Sequence, residues 1–336
     1  MMNLKTMLKS AAAAAALVTG AGMTQAQAVD EITIAYFLEW PMPFQFAKVN
    51  GTYDAALGVK VNWVSFDAGT AMSAAMASGD VHMSVSQGVP PFVVATSAGQ
   101  DLQILDVAVS YADNDNCVVA AGLEIDKTTA GDLAGKKVAV PLGTAAHYGF
   151  LRQMDHFGVD LASLDIVNMS PPDGAAAIAN GQVDMACGWG GALRRMQEFG
   201  NVLLTGAEKE ALGILVFDVT TAPASFVAEN PDLVAAFLQV TAEANAAWND
   251  GSMVAEMLPV IAQDSGMTID AARDTMATFV FPSVSDQLSG AWLGANAPTF
   301  MKGVADVFVD SGSIPSALDS YADTVNLGPL KSVGDM

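Results

Sequence analysis

The chain has 336 residues, 36 acidic against 14 basic side chains, a formal charge of −22 and 52% hydrophobic residues. That acidity excludes binding to nucleic acid or anionic lipid through a general electrostatic field, and it reads as a solvated surface. Two cysteines and three histidines, with no HxxH, HExxH or CxxC spacing, exclude a recognisable metal site, and no cofactor signature stands in the chain.

Lys5 and Lys9 precede an apolar, Ala-rich run from Ala11 to Val18, and Ala26-Gln27-Ala28 supplies a small-x-small cleavage site. This is the pattern of a secretory signal peptide over residues 1–28, too short in its apolar part to span a bilayer. Cleavage after Ala28 leaves 308 residues with 36 acids against 12 bases, a net charge of −24. That length suits two domains of about 150 residues each. No later stretch approaches a membrane span, so the mature chain is expected to be soluble and periplasmic.

Ile32 to Tyr36 reads as a strand and runs into Phe37–Pro43, a Pro-punctuated loop with one acid, Glu39, and the aromatics Phe37 and Trp40. A helix follows around Phe44–Asn50, then a strand over Val59–Phe66. Asp67–Thr70 opens a helix that Ser78-Gly79-Asp80 ends. Val81–Val85 is the next strand, with Ser86–Pro91 a loop at its carboxyl end. The β-α-β-α alternation predicts an α/β fold with a mainly parallel sheet.

Val138–Val140 is another short buried strand, ended by Pro141 and Gly143. Thr144 is the N-cap of a helix carrying Phe150, Leu151, Met154 and Phe157, and Gly158 closes it. A strand that delivers the chain to a helix N-terminus at the carboxyl end of a parallel sheet is where open α/β sheets place ligands. The helix dipole and free N–H groups there favour an anion. The turn lacks the Gly-Lys-Ser/Thr of a P-loop.

The unit Ala74–Ser84 has a counterpart in Ala176–Ala186: a helix end, a Gly turn and a strand in each. A Gly-bearing loop follows both, Gln87-Gly88 in one and Gly188–Gly191 in the other. Two similarly built lobes facing each other across a cleft explain this; chance similarity of Ala-rich helices is the alternative. After Ala207 the pattern changes to a strand over Ile214–Thr220, interrupted by Asp218. Helical segments follow at Pro231–Asn249, Ser252–Gln263, Thr268–Thr278 and Asp286–Asp310. Cys117 and Cys187, 70 residues apart in apolar runs, are read as small buried hydrophobes, with a disulfide as the alternative.

Four stretches carry a resemblance: Ser65–Thr70 with Ala77–Val81, Gly135–Pro141 with Thr144–Tyr148, Ile166–Pro172 with Gly181–Asp184 and Trp189, and Leu215–Val219. Together they resemble the taurine-binding proteins of bacterial ABC importers, within the nitrate/sulfonate/taurine group of solute-binding proteins. The resemblance covers nearly all of residues 30–325. It implies a two-lobed periplasmic-binding-protein fold of type II, with two parallel-core sheets joined by crossover strands near Cys117–Ala121 and Phe217–Thr221. Lobe 1 would be residues 29–116 and 222–336, and lobe 2 residues 117–221. It also implies a non-enzymatic receptor, a monomer, that hands a small-molecule ligand to the membrane permease of an ABC importer. The chain departs from the pattern in the bulky loop Phe37–Pro43, in the few hydroxyls of Gly143–Ala146 and in Gly190-Gly191.

For a zwitterion such as taurine, the sulfonate needs donors and the ammonium acceptors. Helix starts at Gly69-Thr70 and Thr144-Ala145, the Gln87 amide with Gly88, and the His147 ring are the expected donors. Asp218, an acid in an apolar strand, is the expected amine partner, with a buried salt bridge as its alternative. Glu39 is the weaker candidate acceptor for the amine, with a merely solvated glutamate as its alternative; Trp40 of the same loop is expected at the ligand, and Trp189 at a cleft-facing strand end. Arg194 and Arg195 read as a solvated helix face. Other aliphatic sulfonates, hypotaurine or sulfate esters are the alternative ligands, and an enzyme similar to the thiamine-pyrimidine synthases is the alternative class.

Overall fold

A computed structural model describes residues 29–334; the expected signal peptide lies outside the described residues. Among the described residues, eleven strands form two sheets. They are β1 (Glu31–Tyr36), β2 (Lys60–Ser65), β3 (Met83–Gly88), β4 (Leu102–Tyr111), β5 (Asp115–Ala120), β6 (Lys137–Val140), β7 (Asp165–Asn168), β8 (Met185–Trp189), β9 (Gly200–Val202), β10 (Phe217–Pro223) and β11 (Phe279–Val280). The first sheet runs β11-β4-β10-β3-β1-β2 and the second β7-β6-β8-β5-β9.

Each sheet has a parallel core, β2-β1-β3 in one and β7-β6-β8 in the other. Antiparallel strands extend both: β10, β4 and β11 in the first, β5 and β9 in the second. β3 is buried at every position, as a strand covered on both faces should be. Its sequence shows the same thing, with Val85 between short polar residues that find partners inside.

The chain passes between the sheets twice, at residues 112–114 and 203–216. Both passages come earlier than the expected boundaries, which fall inside β5 and β10. Asp115 and Asn116 already pair with β8, and Phe217–Thr221 already pair with β4 of the first sheet. The apolar character that suggested a crossover strand belongs to the strand each passage leads into.

The helical tail covers the first sheet. In the helix Pro231–Asn249, Phe237 stacks on Tyr53 at 4.7 Å between ring centroids. Thr241 Oγ lies 2.9 Å from the Tyr53 hydroxyl. The expected helix over Asp286–Asp310 is broken. It forms Val284–Gln287 and Asn296–Asp310, and the turn between them needs glycine at 294, where a Cβ would stand 2.5 Å from the carbonyl oxygens of Leu288 and Ser289. The helix Asn296–Asp310 packs against helices attached to both sheets, Val89–Ser97 and Ala145–Phe157.

Cys117 and Cys187 form a disulfide between β5 and β8, which corrects the reading as free buried hydrophobes. The antiparallel register sets the two residues directly opposite each other. A 70-residue separation conceals that pairing in the sequence.

Candidate functional site

A small cavity of about 20 Å³ lies where the carboxyl ends of strands from both sheets meet. That space holds about one water molecule. From the first sheet and its loops come Phe37, Trp40, Gly69, Gly88, Pro91, Tyr111 and Asp218. From the second come Asp115, Thr144, Ala145 and Trp189.

Two helix starts supply donors. The helix Gly69–Ser78 begins after Ala68 with no side-chain cap. The helix Ala145–Phe157 begins after Thr144, whose hydroxyl accepts from His147 N at 3.4 Å and donates to the Pro141 carbonyl at 2.6 Å. The first N–H groups of a helix have no partner within it, and they carry the positive end of the dipole. Gly69-Thr70 and Ala145-Ala146 are those positions. The two starts touch across the cleft, since a Cβ at Gly143 would sit 3.2 Å from Thr70 Cγ2. Gly69 must be glycine: a Cβ there would meet Pro91 Cγ at 2.7 Å.

Buried carboxylates supply acceptors. Asp218 is 2% exposed. Its Oδ2 accepts from Ser86 Oγ at 2.6 Å, and its Oδ1 accepts from the Tyr111 hydroxyl. Ser86 in turn accepts from Trp40 Nε1 at 2.7 Å. To make this bridge Ser86 takes φ 69°, a left-handed conformation that costs energy for a residue with a Cβ and recurs at functional sites. Burial pushes the Asp218 carboxyl up to about 7, against the lowering effect of its two hydroxyl donors. Among the described residues it has no Lys or Arg partner, so the buried salt bridge is not what holds it.

The walls are aromatic. Trp40 meets Tyr111 edge-on at 4.8 Å, and Phe37 lies 5.9 Å from Trp189. Rings that bury area while aiming N–H and O–H groups inward both orient a ligand and exclude water.

Of the residues expected at the site, Trp40, Gly69, Gly88, Thr144, Ala145, Trp189 and Asp218 line this cavity. Four are placed otherwise. Gln87 is fully buried and braces the loop: Nε2 donates to Gly69 O and Ser73 Oγ, and Oε1 accepts from Thr221 Oγ1 at 2.7 Å. Thr70 turns its methyl group toward Gly143. His147 accepts from Gly143 N at 3.1 Å and stacks on Phe308 at 5.3 Å, and burial lowers its pKa to about 4. It is a neutral structural ring that ties the second sheet's helix to the tail.

Glu39 stands beside the cavity and grips the other side of the cleft. Its carboxylate pairs with Arg195, and its carbonyl oxygen accepts from Gly191 N at 3.2 Å. Arg195 is therefore not merely a solvated side chain. Gly190-Gly191 has a steric cause: a Cβ on Gly190 would lie 2.5 Å from Glu39 O, and one on Gly191 2.9 Å from Glu39 Cδ.

Phe37, Pro91, Tyr111 and Asp115 line the cavity without having been singled out as site residues. Asp115 carried a signal, since it is an acid two residues before Cys117 at the head of an apolar run. Tyr111 carried none beyond its place at the end of a strand.

Comparison with known proteins gives the family and the fold. The family described as "NMT1/THI5 like" matches residues 42–250. The chain is 30% identical over 220 residues to the taurine-binding periplasmic protein of Escherichia coli K12, covering 66% of this chain and 67% of that one. Among solved structures it resembles the alkanesulfonate-binding protein of Xanthomonas axonopodis pv. citri bound to MOPS. That match has a TM-score of 0.73 and 22% identity over 89% of this chain and 99% of the other. The desulfurization enzyme DSZB shares the fold at a TM-score of 0.60 and 15% identity, over 90% of this chain and 99% of that one.

Proposed function

This chain belongs to the NMT1/THI5-like family, and from that premise we propose that it is the periplasmic solute-binding component of an ABC importer, with taurine as its ligand. The single observation that carries the reading is one small cavity shared by two helix starts and the buried carboxylate of Asp218. A sulfonate has three acceptor oxygens and a permanent charge, and main-chain N–H groups at helix starts suit it. An ammonium at the other end suits a carboxylate that hydroxyl donors hold in place.

Each sheet with its helices forms one lobe, and the ligand lies between them. Residues 29–111 and 217–334 build lobe 1 around the first sheet; residues 115–202 build lobe 2 around the second. The ligand closes the lobes in the manner of a hinge, and the closed form is what the permease receives. Export to the periplasm fits the disulfide, which persists in oxidising compartments.

Thermal-shift and titration measurements on the mature protein, with taurine, hypotaurine, ethanesulfonate, sulfate esters and nitrate, test the ligand. Taurine at 100 times its dissociation constant should add about 2.7 kcal/mol of apparent stability. A protein that ethanesulfonate stabilises as well as taurine does would be a general sulfonate receptor. One that no sulfonate stabilises would end this reading.

A further inference from the structure

We infer that Asp115 is a second ligand carboxylate in this cavity, and that Asp115 of the second sheet and Asp218 of the first together form a cation subsite for a small ligand with a primary ammonium. The inference rests on the reading of the cavity as a ligand site and deepens it.

Asp115 opens β5, directly after the first passage between the sheets. It is 2% exposed and lines the cavity. Among the described residues its Oδ2 has no hydrogen-bond partner. A buried carboxylate oxygen left without a donor is costly, so such an atom on a residue that lines a cavity calls for a donor from the cavity's occupant. Lys209, itself buried, does not fill that role: its ammonium donates to the main-chain carbonyl of Asp115. It lowers the Asp115 pKa, yet burial still raises that carboxyl to about 7.

Asp218 reaches the same cavity from β10. Ser86 and Tyr111 each occupy one of its oxygens, and each oxygen keeps a further lone pair for a ligand donor. An ammonium with three N–H donors can therefore satisfy both acids. Because the two carboxylates come from different sheets, the ammonium bridges the cleft. A ligand with only an anionic end leaves both acids without a cation, which is why an amine-bearing ligand is favoured over a plain alkanesulfonate.

Titration calorimetry of taurine and ethanesulfonate against the wild type, Asp115→Asn and Asp218→Asn tests this. A hydrogen bond to a charged group contributes roughly 1.5–3 kcal/mol, so each substitution should weaken taurine about 10- to 150-fold. Ethanesulfonate should bind each variant at least as well as it binds the wild type. If Asp115→Asn keeps wild-type affinity for taurine, Asp115 is not in the subsite, while the taurine reading stands. If the wild type binds no sulfonate, that reading fails and this inference fails with it.

A methylation series on the wild type gives a second readout that does not depend on the variants folding. N-methyltaurine keeps two N–H donors and N,N-dimethyltaurine one. Two acceptors require a loss of about tenfold or more between these two ligands. Equal affinities would leave Asp218 as the single acceptor and overturn the inference.

Discussion

Glu39, on the loop after β1, and Arg195, on the helix after β8, form an ion pair that spans the cleft, with Arg195 Nη2 3.0 Å from Glu39 Oε2. Both are partly exposed, so the charge pair alone contributes little. Its setting makes it a latch. Glu39 sits at φ 54°, with its N–H donated to Ser265 O at 2.7 Å and its carbonyl oxygen accepting from Gly191. One residue therefore joins the tail helix Val254–Ser265 to the helix after β8 of the second sheet.

The latch separates backbone fit from charge. Arg195→Ala should weaken ligand binding only a few-fold, in line with about 0.2–1 kcal/mol for an exposed pair. Gly191→Val should weaken it about tenfold or more, because its side chain would enter the space of the Glu39 carboxylate. Small-angle scattering would then show Gly191→Val failing to contract at ligand concentrations that close the wild type. Normal contraction would mean that Glu39 moves aside freely.

Asp218→Asn probes the brace around the amine as well as the amine itself. An amide can accept from only one of the two hydroxyls that now donate to the carboxylate. Tyr111→Phe should therefore reduce taurine affinity by a smaller factor than Asp218→Asn does, with the same direction. Titration calorimetry on folded variants decides it; a larger loss from Tyr111→Phe would place the ligand contact on the phenol.

The pH dependence of the ligand-free protein has a definite sign. Burial raises Asp115 and Asp218 to about 7 and Asp106 to about 6. Between about pH 4 and pH 7 these three acids thus bind more protons in the folded chain than in the unfolded one, and their contribution to stability falls as pH rises, against a smaller opposite contribution from His147, which burial lowers to about 4. The groups facing these two cavity acids are Tyr111 and Lys209. The loss between pH 4.5 and 7.5 should be on the order of 2–4 kcal/mol, since the acids titrate as a coupled set. Urea unfolding at the two pH values measures it, and Asp218→Asn should flatten the profile. Saturating taurine should flatten it too, by giving the ionised acids a partner. A variant with the wild-type slope would show that Asp218 does not titrate in this window.

Reduction of the Cys117–Cys187 bridge opens a loop of 70 residues. Chain entropy assigns such a cross-link about 4 kcal/mol. Denaturant unfolding of the oxidised protein and of a Cys117→Ser, Cys187→Ser variant should differ by about that amount, with taurine affinity nearly unchanged at the folded state. Equal midpoints would mean that the β5–β8 ladder holds without the bond.

The sequence alone determined the local units and their order. Val138–Val140, Pro141, Gly143 and Thr144 encode strand, turn and cap within a dozen residues, and Asp67–Thr70 encodes the other helix start. Such signals are short-range, set by φ preferences, N-cap chemistry and hydrophobic period. Asp218 was legible because an acid within an apolar strand has to be accounted for wherever it lies. Tertiary structure alone decided which of these residues meet. The register of β5 on β8 made a disulfide of two cysteines 70 residues apart. The packing of the tail turned His147 inward onto Phe308 and away from the cavity. The close approach of the two sheets set Glu39 against Arg195 and brought Asp115 into the cavity that Asp218 lines. Each depends on distances between residues remote in sequence, which a local pattern cannot encode because it specifies a side chain's own turn of chain and not the surface that will cover it.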